Sequence, residues 1–169
     1  MVLVAITLCS NPNIHDKRLE DFLIDKDAVN GLFDAFTAFF ILTGAAAKKV
    51  VCVDPKSATE LEARDIYIAG DSLGLGILLL LLGDAAGECL EIGKARAATG
   101  ALKVQSNVVV CREVGDLGSK VKGAEDAGVD IMYCPVQADA PALSDTGMLI
   151  KPLSLITKDD ISDFWMKVA

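Results

Sequence analysis

Short β-branched apolar runs alternate along this chain with longer stretches of helical period, and polar or Gly/Pro-rich segments separate them. The opening "MVLVAITLCS" reads as a strand, and "NPNIHDKR" after it as a loop. Residues 19–42 place apolar side chains three and four apart, Phe33, Phe36, Phe39 and Phe40 among them, which predicts a helix. Gly44 is its expected stop, and the phenylalanine stripe is expected to serve the core or a subunit contact. "KKVVCVDP" predicts a second strand, halted by Pro55, and "ARDIYIAG" a third. A helix over 72–82 follows, where "ILLLLLG" is apolar on every face and so buried on all sides.

"GECLEIGKARAATGAL" fits either a helix then a strand, or two strands about a Gly turn. "NVVVCREV" is a strand. "GDLGSKVKGAEDAG" is a turn and a short helix closed by Gly128, and "VDIMYCP" is a strand running into Pro135. "TKDDISDFWMKVA" predicts a last helix, with Thr157 as cap and Asp159 and Asp160 favouring its N-terminal dipole. These acids and Asp163 are expected to face solvent. The alternation predicts an α/β (α+β) class with a single mixed sheet. With 169 residues and no repeat or long linker, one domain over 1–169 is expected.

Composition narrows the function classes. Hydrophobic residues make up 52% of the chain and aromatic ones 5%, so the core is aliphatic and disorder is excluded. A net charge of −8 argues against nucleic-acid binding, which needs clustered cations. The longest apolar run falls short of the roughly 20 residues a bilayer span needs, so no membrane partner is expected. The N-terminus has no basic n-region or signal-cleavage pattern, and the expected location is cytoplasmic. Cys9, Cys52, Cys89, Cys111 and Cys134 are widely spaced and odd in number, which reads as reduced, mostly buried thiols. A single histidine, His15, lies in a polar loop and excludes multi-histidine zinc sites. Neither a metal nor a cofactor is expected.

Candidate chemistry centres on "IAGDSLGLG", residues 68–76. It holds G-x-S-x-G between a predicted strand and a predicted helix, the setting of a nucleophile elbow. Glycines there permit a tight turn, and the free N–H groups of a helix start suit an oxyanion. A plainer reading makes Asp71 or Ser72 the helix cap. The α/β-hydrolase pattern and the GDSL esterase pattern both need a histidine after the serine, and none exists. A serine can instead be activated by a lysine, provided that desolvation keeps the amine neutral. Lys120, after the VGDLG turn and flanked by Val114, Leu117 and Val121, fits that need, with Lys122 as a rival.

Residues 65–135 resemble the proteolytic domain of Lon proteases. That family shows, in order, a G-P-S-A-G motif opening an apolar helix, a T-G-E strand start, a V/I-G-G-L-x-x-K turn, and an A-x-x-A-G segment leading to a strand that ends in Pro. Here "GDSLGLGILLLLLG", "ATGALKV", "VGDLGSKVKGAEDAG" and "VDIMYCP" stand in the same order. The resemblance implies a ribosomal-protein-like fold, Ser72 as nucleophile and Lys120 as general base. Thr99 would help hold the lysine, a backbone N–H of Gly70 or Asp71 would join that of Ser72 on the oxyanion, and Gly115 would belong to the turn before the lysine. It further implies an ATP-independent serine peptidase acting on small or unstructured polypeptides, assembled as a homo-oligomeric ring, often of six. The same fold also serves proteins that hydrolyse nothing, so a binding or assembly module is the alternative. The chain departs from the pattern at Asp71 (Pro in the family), Ala101 (an acid) and Asp116 (the second Gly). The stretch from Thr99 to Gly115 is a few residues longer than usual, and residues 1–60 show little of the family's opening hairpin. No G-x-x-x-x-G-K-[ST] occurs, so any ATPase would be a separate partner.

Overall fold

The computed structural model describes residues 3–13, 15–87, 95–137 and 147–157. Strand β1, Ile6–Cys9, pairs antiparallel with β2, Val50–Val53, in the register Ile6 to Val53 and Cys9 to Val50. Between them lies α1, Lys26–Thr43, preceded by a single 3-10 turn at Leu19–Phe22. The helix predicted over 19–42 is thus broken at its start. Leu23 is extended, and Ile24 N–H and Ile68 N–H bond across to the Ile68 and Phe22 carbonyls at 3.0 and 2.8 Å. That short crossing frees Asp25 to cap α1, accepting from Ala28 N–H at 2.7 Å. Gly44 closes the helix at φ 74°, as the sequence predicts.

Pro55 ends β2 and also begins α2, Pro55–Ala63, whose first N–H it does not need to donate. Pro55 is thus both the expected strand stop and a helix start, and α2 is not among the elements that the sequence pattern predicts. The strand expected at "ARDIYIAG" shrinks to one bridge, Ile68 to Leu23. Its first residues are spent on the C-terminus of α2: Asp65 takes φ 51° and Ile66 N–H bonds to the Leu61 carbonyl at 2.9 Å. Helix α3, Gly74–Ala85, is buried over most of its length, Leu75, Ile77, Leu78 and Leu82 fully so, and only its last turn is exposed.

The expected single mixed sheet is replaced, among the described residues, by a pair and two triplets. Strands β3 (Arg96–Ala98), β6 (Ile131–Pro135) and β7 (Leu149–Leu153) run parallel, with β6 central. Strands β4 (Ala101–Gln105), β5 (Val108–Arg112) and β8 (Leu155–Ile156) are antiparallel, with β5 central. The chain passes between the triplets three times, once by way of the segment between β5 and β6 and twice directly. At Thr99 and Gly100, Thr99 N–H still bonds to the Tyr133 carbonyl of β6, while Gly100 already turns toward α3. At Ser154, between β7 and β8, the carbonyl accepts from Cys111 N–H of β5 at 2.7 Å. Strands that change partner within two residues cannot continue one flat ladder, which is why one sheet becomes two.

Helix α4, Leu117–Asp126, follows β5. Strand β6 separates two apolar clusters. Ile131 and Tyr133 face the main core around α1 and α3, while Met132 and Cys134 face Leu117, Val121 and Ala124 of α4. Burial on both faces explains the unbroken apolar run of this strand. The phenylalanine stripe divides: Phe39 is core at 6% exposure, Phe36 packs at its edge, and Phe33 and Phe40 stand out at 65% and 53%. No helix among the described residues is long and apolar enough to cross a membrane. The last predicted helix and the doubtful segment before Ala95 lie outside the described residues.

Candidate active site

Ser72 sits in the turn that launches α3, as the G-x-S-x-G pattern predicts. Three backbone ties hold the turn. Gly70, at φ 79°, takes a left-handed conformation suited to glycine, and its N–H points at both Asp25 carboxylate oxygens, each 3.2 Å away. The Ser72 carbonyl accepts from Gly100 N–H at 2.8 Å, and Leu75 N–H returns a bond to the Gly100 carbonyl at 2.9 Å. Gly100 must lack a side chain, because a Cβ would lie 2.8 Å from Cys111 Sγ and 3.0 Å from Leu75 Cδ2. So the predicted "ATG" segment docks directly on the serine turn, with Thr99 buried beside it.

Capping does not account for the serine turn. Leu73 is the N-cap of α3 and no side chain caps it, so neither Asp71 nor Ser72 plays that part. The Asp71 carboxylate instead reaches sideways to Arg112 at the end of β5, Oδ2 to guanidinium nitrogen 2.8 Å. Its backbone is pressed by α1, where a Cβ on Gly31 would fall 2.9 Å from the Asp71 carbonyl oxygen. Among the described residues the N–H groups of Asp71 and Ser72 have no acceptor, whereas that of Gly70 is taken by Asp25. Of the oxyanion donors considered from sequence, Gly70 is therefore removed and Asp71 and Ser72 remain.

Lys120 enters from α4. The turn before it is clamped by Gln137, whose side chain accepts from Val114 N–H at 3.0 Å and donates to the Val114 carbonyl at 3.2 Å. Leu117 and Val121 anchor α4 in the second core, and Lys120 lies half-buried alongside. Burial pushes its ammonium pKa below the ordinary 10.5, against the opposing pull of Asp116 first and Asp71 second. That both carboxylates act on it places Lys120 within electrostatic reach of the residue before Ser72. Lys122 is excluded as the rival base, being exposed and paired with Asp126 at 3.3 Å.

Gly115 supplies nothing particular, since a Cβ there would meet open space. The left-handed position falls one residue later, on Asp116 at φ 52° and ψ 47°, where the Lon pattern has its second glycine. Ala101, where the Lon pattern has an acid, is buried at the start of β4. His15 is exposed, as expected. Cys9, Cys52, Cys111 and Cys134 are free thiols. Burial pushes the thiol pKa of Cys52 and of Cys111 up to about 12, so neither is a nucleophile.

The structure thus brings Asp71, Ser72, Thr99, Gly100 and Arg112 together at the serine turn, with Lys120 of α4 within electrostatic range of Asp71. Among the described residues no hydrogen bond links Ser72 Oγ to Lys120 Nζ, and no ion pair links Lys120 to Asp71 or Asp116. Sequence reasoning missed Arg112; its only signal was a basic residue at the end of a confident strand. It also missed Asp25, hidden inside the predicted helix. No protein-family model and no curated protein matches the chain.

Proposed function

We propose that this protein is a Lon-like serine peptidase with a Ser72–Lys120 dyad, acting without ATP on short or unstructured polypeptides. One observation carries the reading: Asp71, the carboxylate next to Ser72, is engaged by Arg112, while Lys120 stays half-buried, in no ion pair among the described residues, and depressed in pKa by burial. Neutral Lys120 takes the Ser72 hydroxyl proton as Oγ bonds to the peptide carbonyl carbon. The Ser72 and Asp71 N–H groups hold the oxyanion. When the C–N bond breaks, Lys120 returns the proton to the leaving amine, and water then hydrolyses the acyl-enzyme. A dyad without substrate need not be closed to the roughly 2.6–3.2 Å of a catalytic hydrogen bond. In keeping with the resemblance, the working form is a homo-oligomeric ring, with any ATPase a separate chain.

The test is incubation with unstructured casein and a serine-reactive probe, read by mass spectrometry. Cleavage with a Ser72 adduct is expected, and both vanish in Ser72→Ala. Absence of cleavage and of the adduct at every pH sinks the reading. The second reading, a non-catalytic binding or assembly module, draws on the open Ser72–Lys120 geometry and the departures at Asp71, Ala101 and Asp116. It predicts that the probe never finds Ser72.

A further inference from the structure

Arg112 belongs to no motif in the sequence, yet it ends β5 with its guanidinium on the carboxylate that adjoins Ser72. Asp71 has no other side-chain partner among the described residues, and it does not cap α3. A second acid, Asp34 of α1, faces the same pair: burial raises its pKa, Arg112 lowers it and Asp71 raises it. Arg112 is thus paired with one carboxylate and acts on a second, on the side of the serine turn where α1, β5 and the α3 start converge. Lys120 lies on α4, where Asp116 at the N-cap acts on it and Lys122 is paired with Asp126.

We propose that Arg112 is a positioning residue, which holds the Asp71 carboxylate and so weakens the pull of that anion on the Lys120 ammonium. The inference rests on the dyad reading for its purpose but not for its physics. An unpaired carboxylate stabilises a nearby ammonium, and pairing it with a guanidinium cancels most of that field. The Lon pattern places a proline, which carries no charge, where this chain has Asp71. Arg112 offsets the charge that the aspartate introduces.

The titration of Lys120 can be read directly in the full chain by competitive acetic-anhydride labelling across pH, localised by tandem mass spectrometry. Exposed Lys103 serves as reference. In Arg112→Gln the Lys120 titration is expected to move up by about one pH unit, a roughly tenfold drop in neutral amine at a fixed lower pH. Arg112→Lys, and Arg112→Gln combined with Asp71→Asn, are expected to return it to the wild-type value or below. Asp71→Asn alone moves it down, which serves if Arg112→Gln does not fold. An unmoved Lys120 titration in folded Arg112→Gln, or in Asp71→Asn, overturns the proposal. Shifts as expected with no Ser72 adduct at any pH leave the role of Arg112 standing and remove the peptidase reading instead.

Discussion

Asp116 holds a left-handed backbone at the start of α4, a conformation that costs an L-residue about 1–2 kcal/mol and glycine almost nothing. Asp116→Gly is therefore expected to raise stability by up to about 1 kcal/mol in chemical denaturation. It also removes the carboxylate with the larger pull on Lys120, so any Ser72 reactivity should begin at lower pH than in wild type. At Gly100 the sign reverses. A methyl group there strikes Cys111 and Leu75, and Gly100→Ala should cost about 1–3 kcal/mol by overpacking. Lys120 makes a third case. Its folded pKa lies below its unfolded one, so the charged form opposes folding. The penalty is full below the folded pKa and fades as pH rises toward the ordinary 10.5. Lys120→Met should accordingly melt higher than wild type at neutral pH, with the gap closing at alkaline pH, while abolishing Ser72 acylation. Turn composition points to Ser72, which stands at an element junction, and the resemblance to Lon proteases points to Lys120 just after the VGDLG turn. Arg112 was invisible, since its partner lies 41 residues away in sequence.

At the scale of elements, the start of α1 and the whole of α2 show where pattern misleads. Residues 19–22 keep helical spacing, yet Ile68 claims the backbone of Phe22 and Ile24, and the helix restarts at the Asp25 cap. Asp25→Ala strips both the α1 cap and the anchor of Gly70 N–H, so a loss of about 1–2 kcal/mol is expected, read by urea denaturation. The four phenylalanines of α1 look alike in sequence. Phe39→Ala should cost about 3–5 kcal/mol, whereas Phe33→Ala on the open face should stay within about 0.5 kcal/mol. A 3.6-residue period says that a helix has an apolar side, but the width of that side is set by what packs against it. The strands β7 and β8 escaped sequence reading for a related reason. Pro152 demotes a run like "LIKPL", and only its place at the edge beside β6 makes it tolerable.

Across the whole molecule, α3 is the hub between α1, the serine turn and the β4–β5 hairpin. Its amides from Ile77 to Leu82 should exchange with deuterium only through global unfolding, while those of α4, resting on the smaller second cluster, open earlier. The sequence by itself determined the helices α1, α3 and α4, the strands β1, β2, β5 and β6, and the class of mixed α and β. It also picked out the serine turn and the lysine turn as the places where chemistry could reside. Those are local matters: spacing, caps, and glycines or prolines that permit few backbones. Only the tertiary structure decided that the sheet divides at Thr99 and Ser154, that Asp25 occupies the Gly70 amide, and that Asp71 faces Arg112 rather than Lys120. Charge pairing and strand exchange join residues distant along the chain, and a carboxylate takes whichever cation the packing brings nearest.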